Sequence, residues 1–157
     1  MEINQAGRDA DVTEFGLGTL LRMPYQVMIT ETLEPALAAA GFGEIRSAHL
    51  PVIRALSSNP DGLRATELAM YARITKQSAG YLVDNLSAGG YVERVPDPTD
   101  QRAKMVRLTP RGWTAGRTIL ATVRGVEADW AQRIGAARIT CLRQILQELV
   151  ISLNAER

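Results

Sequence analysis

The stretch that decides the fold runs Tyr91-Val92-Glu93-Arg94-Val95-Pro96-Asp97-Pro98-Thr99-Asp100-Gln101-Arg102-Ala103-Lys104-Met105-Val106-Arg107-Leu108 and passes directly into Thr109-Pro110-Arg111-Gly112. Two runs that mix apolar and charged residues, Tyr91 to Val95 and Ala103 to Leu108, flank a polar segment whose prolines and aspartates supply turn chemistry. This pattern predicts a hairpin with Val92 and Val106 turned toward a core. Thr109 then suits a helix N-cap, and Pro110 the first helical position, where a missing amide hydrogen matters least.

Upstream of the hairpin, two short helices are predicted around a bend. The first covers about Ala65 to Tyr71, and Arg73-Ile74-Thr75 forms the bend. Thr75 can accept hydrogen bonds from first-turn amides as N-cap of the second, in which Ala79, Leu82, Val83 and Leu86 recur on one face. Gly89-Gly90 closes that helix. Farther out, a helix from about Phe15 to Ala40, kinked or segmented by Pro24 and Pro35, ends at Gly41. Another, from about Ser47 to Leu56, places Ala48, His49, Val52, Ile53 and Leu56 on one side and stops at Ser57-Ser58-Asn59-Pro60-Asp61-Gly62. After the hairpin, a long helix carries Trp113, Ile119, Leu120, Val123, Val126 and Trp130, and a final helix carries Ile139, Leu142, Ile145, Leu146, Leu149 and Leu153. These last helices hold more apolar surface than one small domain readily buries. Dimerisation through the two ends of the chain is expected, with packing onto the Phe15–Ala40 helix as the intramolecular alternative.

Helix, sharp bend, helix and two-stranded hairpin is the order of a winged helix-turn-helix. Such a unit puts the start of its second helix into the major groove and reaches the backbone or minor groove with the hairpin. With Ala79, Leu82, Val83 and Leu86 buried, the opposite face presents Lys76, Gln77, Gly80, Tyr81, Asp84 and Asn85. Lys76 suits phosphate or guanine, Gln77 has the donor–acceptor pair that matches adenine, and Tyr81 offers a hydroxyl or packs on sugar. Gly80 weakens the helix by roughly 1 kcal/mol relative to alanine, which fits close approach of a duplex or simple drift. An ordinary solvated face carries residues like Lys76, Gln77 and Asn85; their place at this helix start decides for DNA. In the wing, Arg102 suits the narrow minor groove, with Asp100 bracing it by an ion pair, and Arg94, Lys104 and Arg107 can meet phosphate or simply decorate the strands.

Composition narrows the class. The 157 residues suit a single folded unit, 46% apolar and 22% charged, without low-complexity tracts. The formal net charge is only +1, yet Arg46 to Arg111 holds ten Arg/Lys against six Asp/Glu, so the centre is basic and the flanks acidic. No apolar run approaches the ~18 residues of a membrane helix. The start, Met1-Glu2-Ile3-Asn4 with Asp9 and Asp11 nearby, lacks a basic region followed by an apolar stretch, so a cytoplasmic location is expected. Cys141 is the sole cysteine and His49 the sole histidine, which leaves neither a cysteine zinc cluster nor a recognisable catalytic triad; no phosphate loop or metal-ligand spacing is present either. No enzyme activity, metal or cofactor is expected.

Tyr91-Val92-Glu93-Arg94, Pro96 to Lys104 and Leu108-Thr109-Pro110-Arg111-Gly112 together resemble the wing of MarR-type (multiple antibiotic resistance) regulators, with Asp-x-Arg followed by Leu-Thr-x-x-Gly as the most specific spacing. Thr75-Lys76-Gln77-Ser78 with Leu82-Val83-Asp84 is similar to that family's recognition helix. The resemblance implies a mainly α fold with a small β-hairpin wing, a single domain over 1–157. The winged-helix DNA-binding lobe covers about 45–109, and the dimerisation helices about 14–42 and 110–155. It further implies an obligate homodimer on a pseudo-palindromic double-stranded operator, acting as a repressor released by a small aromatic or phenolic ligand. Members that respond to ligands hold them between the DNA-binding lobe and the dimer helices, a region that here includes Met23, Val27, His49, Ile53 and Trp113; a hydrogen-bonded core histidine is the competing role for His49. Two positions depart from the family pattern: Arg73 stands where the bend often has glycine, and Arg64 where a Ser/Thr cap is usual. A wider bend, or one strained by a non-glycine residue, is expected.

Two other readings remain. One is a redox-responsive regulator using Cys141, since some relatives use a reactive cysteine; theirs lies near the N-terminal helix, whereas Cys141 falls in the last helix, where a small buried hydrophobe is the default. A winged helix can also serve as a protein-interaction module. Steep salt dependence on a specific duplex separates DNA binding from that alternative.

Overall fold

Thr75 and Thr109 start the two helices that frame the wing. The Thr75 hydroxyl accepts a hydrogen bond from the Ser78 amide and the Thr109 hydroxyl from the Gly112 amide, each at 3.1 Å. Each satisfies a donor that the first turn leaves without an intrahelical partner. The computed structural model describes residues 12–100 and 102–155; Gln101 of the wing tip and the acidic Asp9 and Asp11 lie outside the described residues.

After a 3-10 turn at Val12–Glu14 come α1 (Leu17–Val27), a π-helical turn (Met28–Leu33) and α2 (Glu34–Ala39). The expected helix from Phe15 to Ala40 is thus one continuous rod that begins two residues late and changes pitch in its middle. Pro35 has no amide hydrogen and its ring crowds the carbonyl one turn back, and the widened turn immediately before it accommodates both defects. Gly41 stops the rod with a φ of 81°. Next come a 3-10 turn (Ser47–His49) and α3 (Leu50–Ser57). Ala48 lies on the exposed side of that turn, not on the inward side expected from helical spacing.

The winged-helix lobe continues with β1 (Leu63–Arg64), α4 (Ala65–Ala72), α5 (Lys76–Ala88), β2 (Val92–Pro96) and β3 (Lys104–Leu108). The hairpin is joined by a third, two-residue strand, giving an antiparallel sheet in the order β1-β3-β2. Leu63 faces Val106, and Val92 faces Leu108. Gly62 allows this approach: its φ is 101°, and a Cβ there would stand 2.7 Å from the Val106 carbonyl oxygen.

The core sits where α2, α3, α4, α5 and the sheet meet. Leu33, Leu37, Leu56, Leu68 and Leu86 are almost fully buried there, each contributing roughly 1.5–3 kcal/mol by leaving water. Val92 and Val106 close it from the hairpin side, as their alternation predicts.

Finally α6 (Pro110–Ile134) and α7 (Ala136–Ala155) leave the lobe as an antiparallel pair hinged at Gly135. Neither α1 nor α7 buries a residue within the chain. Leu17, Leu20, Leu21, Leu142, Ile145, Leu149 and Leu153 all face outward, the excess apolar surface that the sequence announced. Cys141 is exposed as well, contrary to the buried role expected of it, because α7 has no layer of this chain covering its outer side. Among the described residues no helix is long and apolar enough to cross a membrane.

Candidate nucleic-acid interface

The helix-turn-helix bend is built on a strained residue. Arg73 has φ 54° and ψ 45°, the left-handed conformation that glycine adopts without a Cβ penalty, and is the one non-glycine residue at positive φ among the described residues. Of the two expectations for this position, strain rather than a wider bend is the outcome. The chain reverses tightly here because the Ile74 amide donates to the Ala69 carbonyl at 3.0 Å, a helix-terminating pattern.

From this bend α5 projects its first turn outward. Lys76 and Gln77 are exposed at the helix start, where unsatisfied amides and the helix dipole favour an anionic partner. Thr75 and Ser78 face the same end, but their hydroxyls bond each other at 2.8 Å, so they organise the cap. Ala79, Val83 and Leu86 anchor the helix to the core, and Tyr81, Asp84 and Asn85 lie exposed. Around Gly80 the space is open: a Cβ there would meet nothing within 4 Å. No neighbour within the chain therefore requires the glycine.

The wing is held against the lobe by a contact that sequence reading missed. Arg64 caps nothing with its side chain, since a guanidinium has no acceptor; its backbone amide is instead satisfied by Glu67 Oε2 at 2.7 Å. That leaves the guanidinium free for the wing, where Nε donates to Asp97 Oδ2 at 2.6 Å and Nη2 to the Thr99 hydroxyl at 3.3 Å. The Thr99 amide and hydroxyl both donate to Asp97 Oδ1, at 2.8 and 2.7 Å. Asp97 is only 4% exposed yet fully bonded. The Arg64 hydrogen bond, followed by those from Thr99, holds its carboxyl well below the usual carboxylate range.

At the tip, Asp100 acts differently from expectation. Its Oδ1 accepts from the Arg102 backbone amide at 3.0 Å, closing the turn, and among the described residues no ion pair holds the Arg102 guanidinium. Arg102 and Lys104 are exposed. Arg94 and Arg107 are already engaged: Arg94 reaches Asp84 on α5 at 2.7 Å, and Arg107 meets its cross-strand neighbour Glu93 at 2.8 Å. Lys76, Gln77, Tyr81, Asn85, Arg102 and Lys104 thus form the exposed set, with Arg94 tying wing to helix.

The Leu-Thr-x-x-Gly spacing also has a physical reason. The Thr109 hydroxyl donates to the Gly90 carbonyl at 2.6 Å, and the Thr109 amide donates to the Tyr91 carbonyl at 3.0 Å. Gly112 follows three residues on, where a Cβ would lie 2.0 Å from that same Tyr91 oxygen. The Arg111 guanidinium lies 4.8 Å from the centre of the Tyr91 ring and donates to the Tyr91 hydroxyl at 3.1 Å; that hydroxyl in turn donates to Glu44 at 2.5 Å. Burial, then the Glu44 bond, raises the Tyr91 pKa, and the Tyr91 hydroxyl lowers that of Glu44.

The five residues expected around a small ligand do not come together. Met23 and Val27 line an open apolar cavity of about 330 Å³ with Phe15, Leu20 and Trp130. Ile53 is buried in the core and Trp113 packs against it. His49, 8% exposed, accepts the Arg46 amide on Nδ1 at 3.0 Å, the hydrogen-bonded core role; burial, then the nearby Arg46 charge, lowers its pKa. Trp130 was legible as an apolar helix residue but not as a neighbour of Met23, more than a hundred positions away.

Residues 45–103 match the model of a family described as the MarR family. Over 97 residues, 62% of this chain and 69% of the relative, the sequence is 30% identical to an HTH-type transcriptional repressor of Mycobacterium tuberculosis. Among solved structures, FabT of Streptococcus pneumoniae in complex with DNA is similar with a TM-score of 0.72 at 18% identity, covering 89% of this chain and 96% of that one. The reduced form of MarR from E. coli is similar with a TM-score of 0.71 at 23% identity, covering 86% and 96%.

Proposed function

This chain belongs to the MarR family, and from that premise we propose that it is a sequence-specific DNA-binding repressor that acts as a homodimer on a pseudo-palindromic operator. The observation that carries this reading is the pairing of two exposed features on one lobe. The polar start of α5, with Lys76 and Gln77, offers base and phosphate contacts, and the wing offers Arg102, free of ion pairs among the described residues. A structure of similar fold is in complex with DNA, which supports duplex DNA as the partner. No catalytic role is assigned to any residue.

Dimerisation is supported by the outward apolar faces of α1 and α7, which a second copy would cover in a two-fold interface. In this reading 45–109 is the DNA-binding lobe and the helices on either side form the dimer. A small aromatic effector is supported by the apolar cavity that Met23 and Val27 of α1 form with Trp130 near the end of α6.

A gel-shift on the DNA upstream of its own gene tests the proposal. The expected result is a discrete complex whose affinity falls steeply with salt, by about 0.9 logarithmic unit per phosphate neutralised for each tenfold rise in salt. Loss of that complex on adding phenolic acids, with quenching of tryptophan fluorescence that a Trp130→Phe variant no longer shows, supports the effector reading. A complex unmoved by a chemically broad panel counts against the effector, and no complex at low salt counts against the DNA reading.

A further inference from the structure

The side chain of Arg64 leaves the lobe from a backbone that is fixed on three sides. Arg64 pairs with Met105 in the register of β1 on β3, its amide donates to Glu67 Oε2 at 2.7 Å, and the next residue, Ala65, starts α4. The wing tip beyond the last β2–β3 pair, Pro96 with Lys104, has no such platform. Its own backbone bonds, from the Ala103 amide to the Asp100 carbonyl at 2.9 Å and from the Asp97 amide to the Ala103 carbonyl at 3.1 Å, shape the tip without fastening it to the lobe. Among the described residues, Arg64 is the one side chain from outside the wing that bonds to this tip, and it does so on both Asp97 and Thr99. Asp97 is no ordinary surface carboxylate, since it is buried and both of its oxygens are bonded. A hold at two points on such a group fixes orientation as well as distance. Charge points the same way. Between Pro96 and Lys104 the tip carries Asp97 and Asp100 beside Arg102, and the Arg64 pKa is raised first by Asp97 and also by Asp100, so Arg64 offsets both carboxylates. Arg102, whose guanidinium no ion pair holds among the described residues, is left to meet an anion outside the chain.

We propose that Arg64 is a positioning residue for DNA binding: it sets where the wing tip stands relative to α4, and Arg102 reaches the duplex from that position. The proposal rests on reading the wing as a DNA contact. Arg64 is turned into the wing, with its guanidinium engaged by Asp97 and Thr99, so it acts through Arg102 and not by touching phosphate itself. Loss of Arg64 therefore removes the Arg102 contact although Arg102 is still present.

The test is a double-mutant cycle on the full chain, with affinity for the duplex upstream of its own gene measured across a salt series for wild type, Arg64→Met, Arg102→Ala and the double variant. Methionine keeps an apolar stem at position 64 without a donor. Each single variant is expected to bind roughly tenfold more weakly, the effect of one charge-assisted bond, and to lower the slope of log affinity against log salt by about 0.9, one phosphate. The double variant should bind no more weakly than Arg64→Met and lose the same single phosphate. Strictly additive losses, or a slope lowered by two phosphates, would overturn the proposal, because Arg64 would then meet DNA on its own. Thr99→Val breaks the second point of the hold at an exposed residue without a change of charge, and its cycle with Arg102→Ala should be non-additive in the same sense, which keeps the test decisive if Arg64→Met does not fold. Amide hydrogen exchange without DNA is the independent arm. Arg64→Met, or Thr99→Val in its place, should speed exchange of the Thr99, Arg102 and Ala103 amides by roughly three- to tenfold while α6 exchanges as in wild type, which separates a loosened wing from general destabilisation. Wing exchange equal to wild type would overturn the hold. Failure of wild type itself to bind any duplex would sink the DNA reading, while the exchange result would still decide whether Arg64 holds the wing.

Discussion

The Arg64 guanidinium donates to Asp97 Oδ2 at 2.6 Å across 33 residues of chain, fastening the wing to the strand that precedes α4. With its folded pKa lowered by Arg64 and then by Thr99, Asp97 adds stability that is fully present above its unfolded value of ~3.9 and is lost as pH falls toward the folded value. Glu44, lowered by the Tyr91 hydroxyl, acts in the same direction. Asp97→Asn should therefore lower the melting temperature at neutral pH and flatten its decline on acidification. Thermal melts from neutral to acid pH check this; parallel curves for variant and wild type would contradict it.

The lone histidine gives a second pH signature. A folded pKa lowered by burial and by Arg46 means that His49 favours the folded state while neutral, so its contribution is complete above ~6.5 and is lost as pH falls through the lowered value. Because Nδ1 accepts the Arg46 amide, protonation would set two donors against each other. An NMR titration should place the His49 midpoint below the free-histidine value. A midpoint at or above that value would contradict the core role.

Two glycines should respond oppositely to alanine. At Gly112 the Cβ would fall 2.0 Å from the Tyr91 carbonyl oxygen, and Gly112→Ala should destabilise by roughly 3 kcal/mol or more, because backbone must move. At Gly80 nothing stands within 4 Å, so Gly80→Ala should stabilise the free protein by about 1 kcal/mol through helix propensity. If a duplex approaches that surface, the same change should weaken DNA binding. Denaturant melts of both variants with duplex titration of the second separate these effects.

Much of this arrangement was legible because its causes are local. The Thr75 and Thr109 caps act over three residues, Val92 and Val106 follow period-two alternation, and the Leu-Thr-x-x-Gly spacing is a short-range fit around the Tyr91 carbonyl. What escaped depends on pairs that no local pattern brings together. Arg64 looked like a defective cap until Asp97 supplied its partner, and β1, at two residues, is too short to show alternation. Asp100 was expected to grip the Arg102 guanidinium, but the short turn presents the backbone amide first. His49 and Ile53 share an apolar helix face with Val52 and Leu56, yet that face meets the core, away from the cavity beside Met23 and Val27.

The wing and α5 should fail in different ways. Arg102→Ala should weaken binding to all duplexes alike, since a minor-groove or backbone contact carries little direct base readout. Gln77→Ala should relax preference at one base position by roughly 1–3 kcal/mol while leaving the salt dependence unchanged. Competition titrations against a panel of single-base variants distinguish the two; unchanged affinity for Arg102→Ala at physiological salt would show that the wing is wrongly assigned.

Selection of bound sequences from a pool of random duplexes tests sequence-specific reading by a paired winged helix most directly. The account expects enrichment of an inverted repeat whose half-sites lie about one helical turn, ~10 base pairs, apart, with enrichment lost for a variant lacking both Gln77 and Arg102. Recovery of a pool no different from the input, from protein that is folded and at low salt, would contradict it.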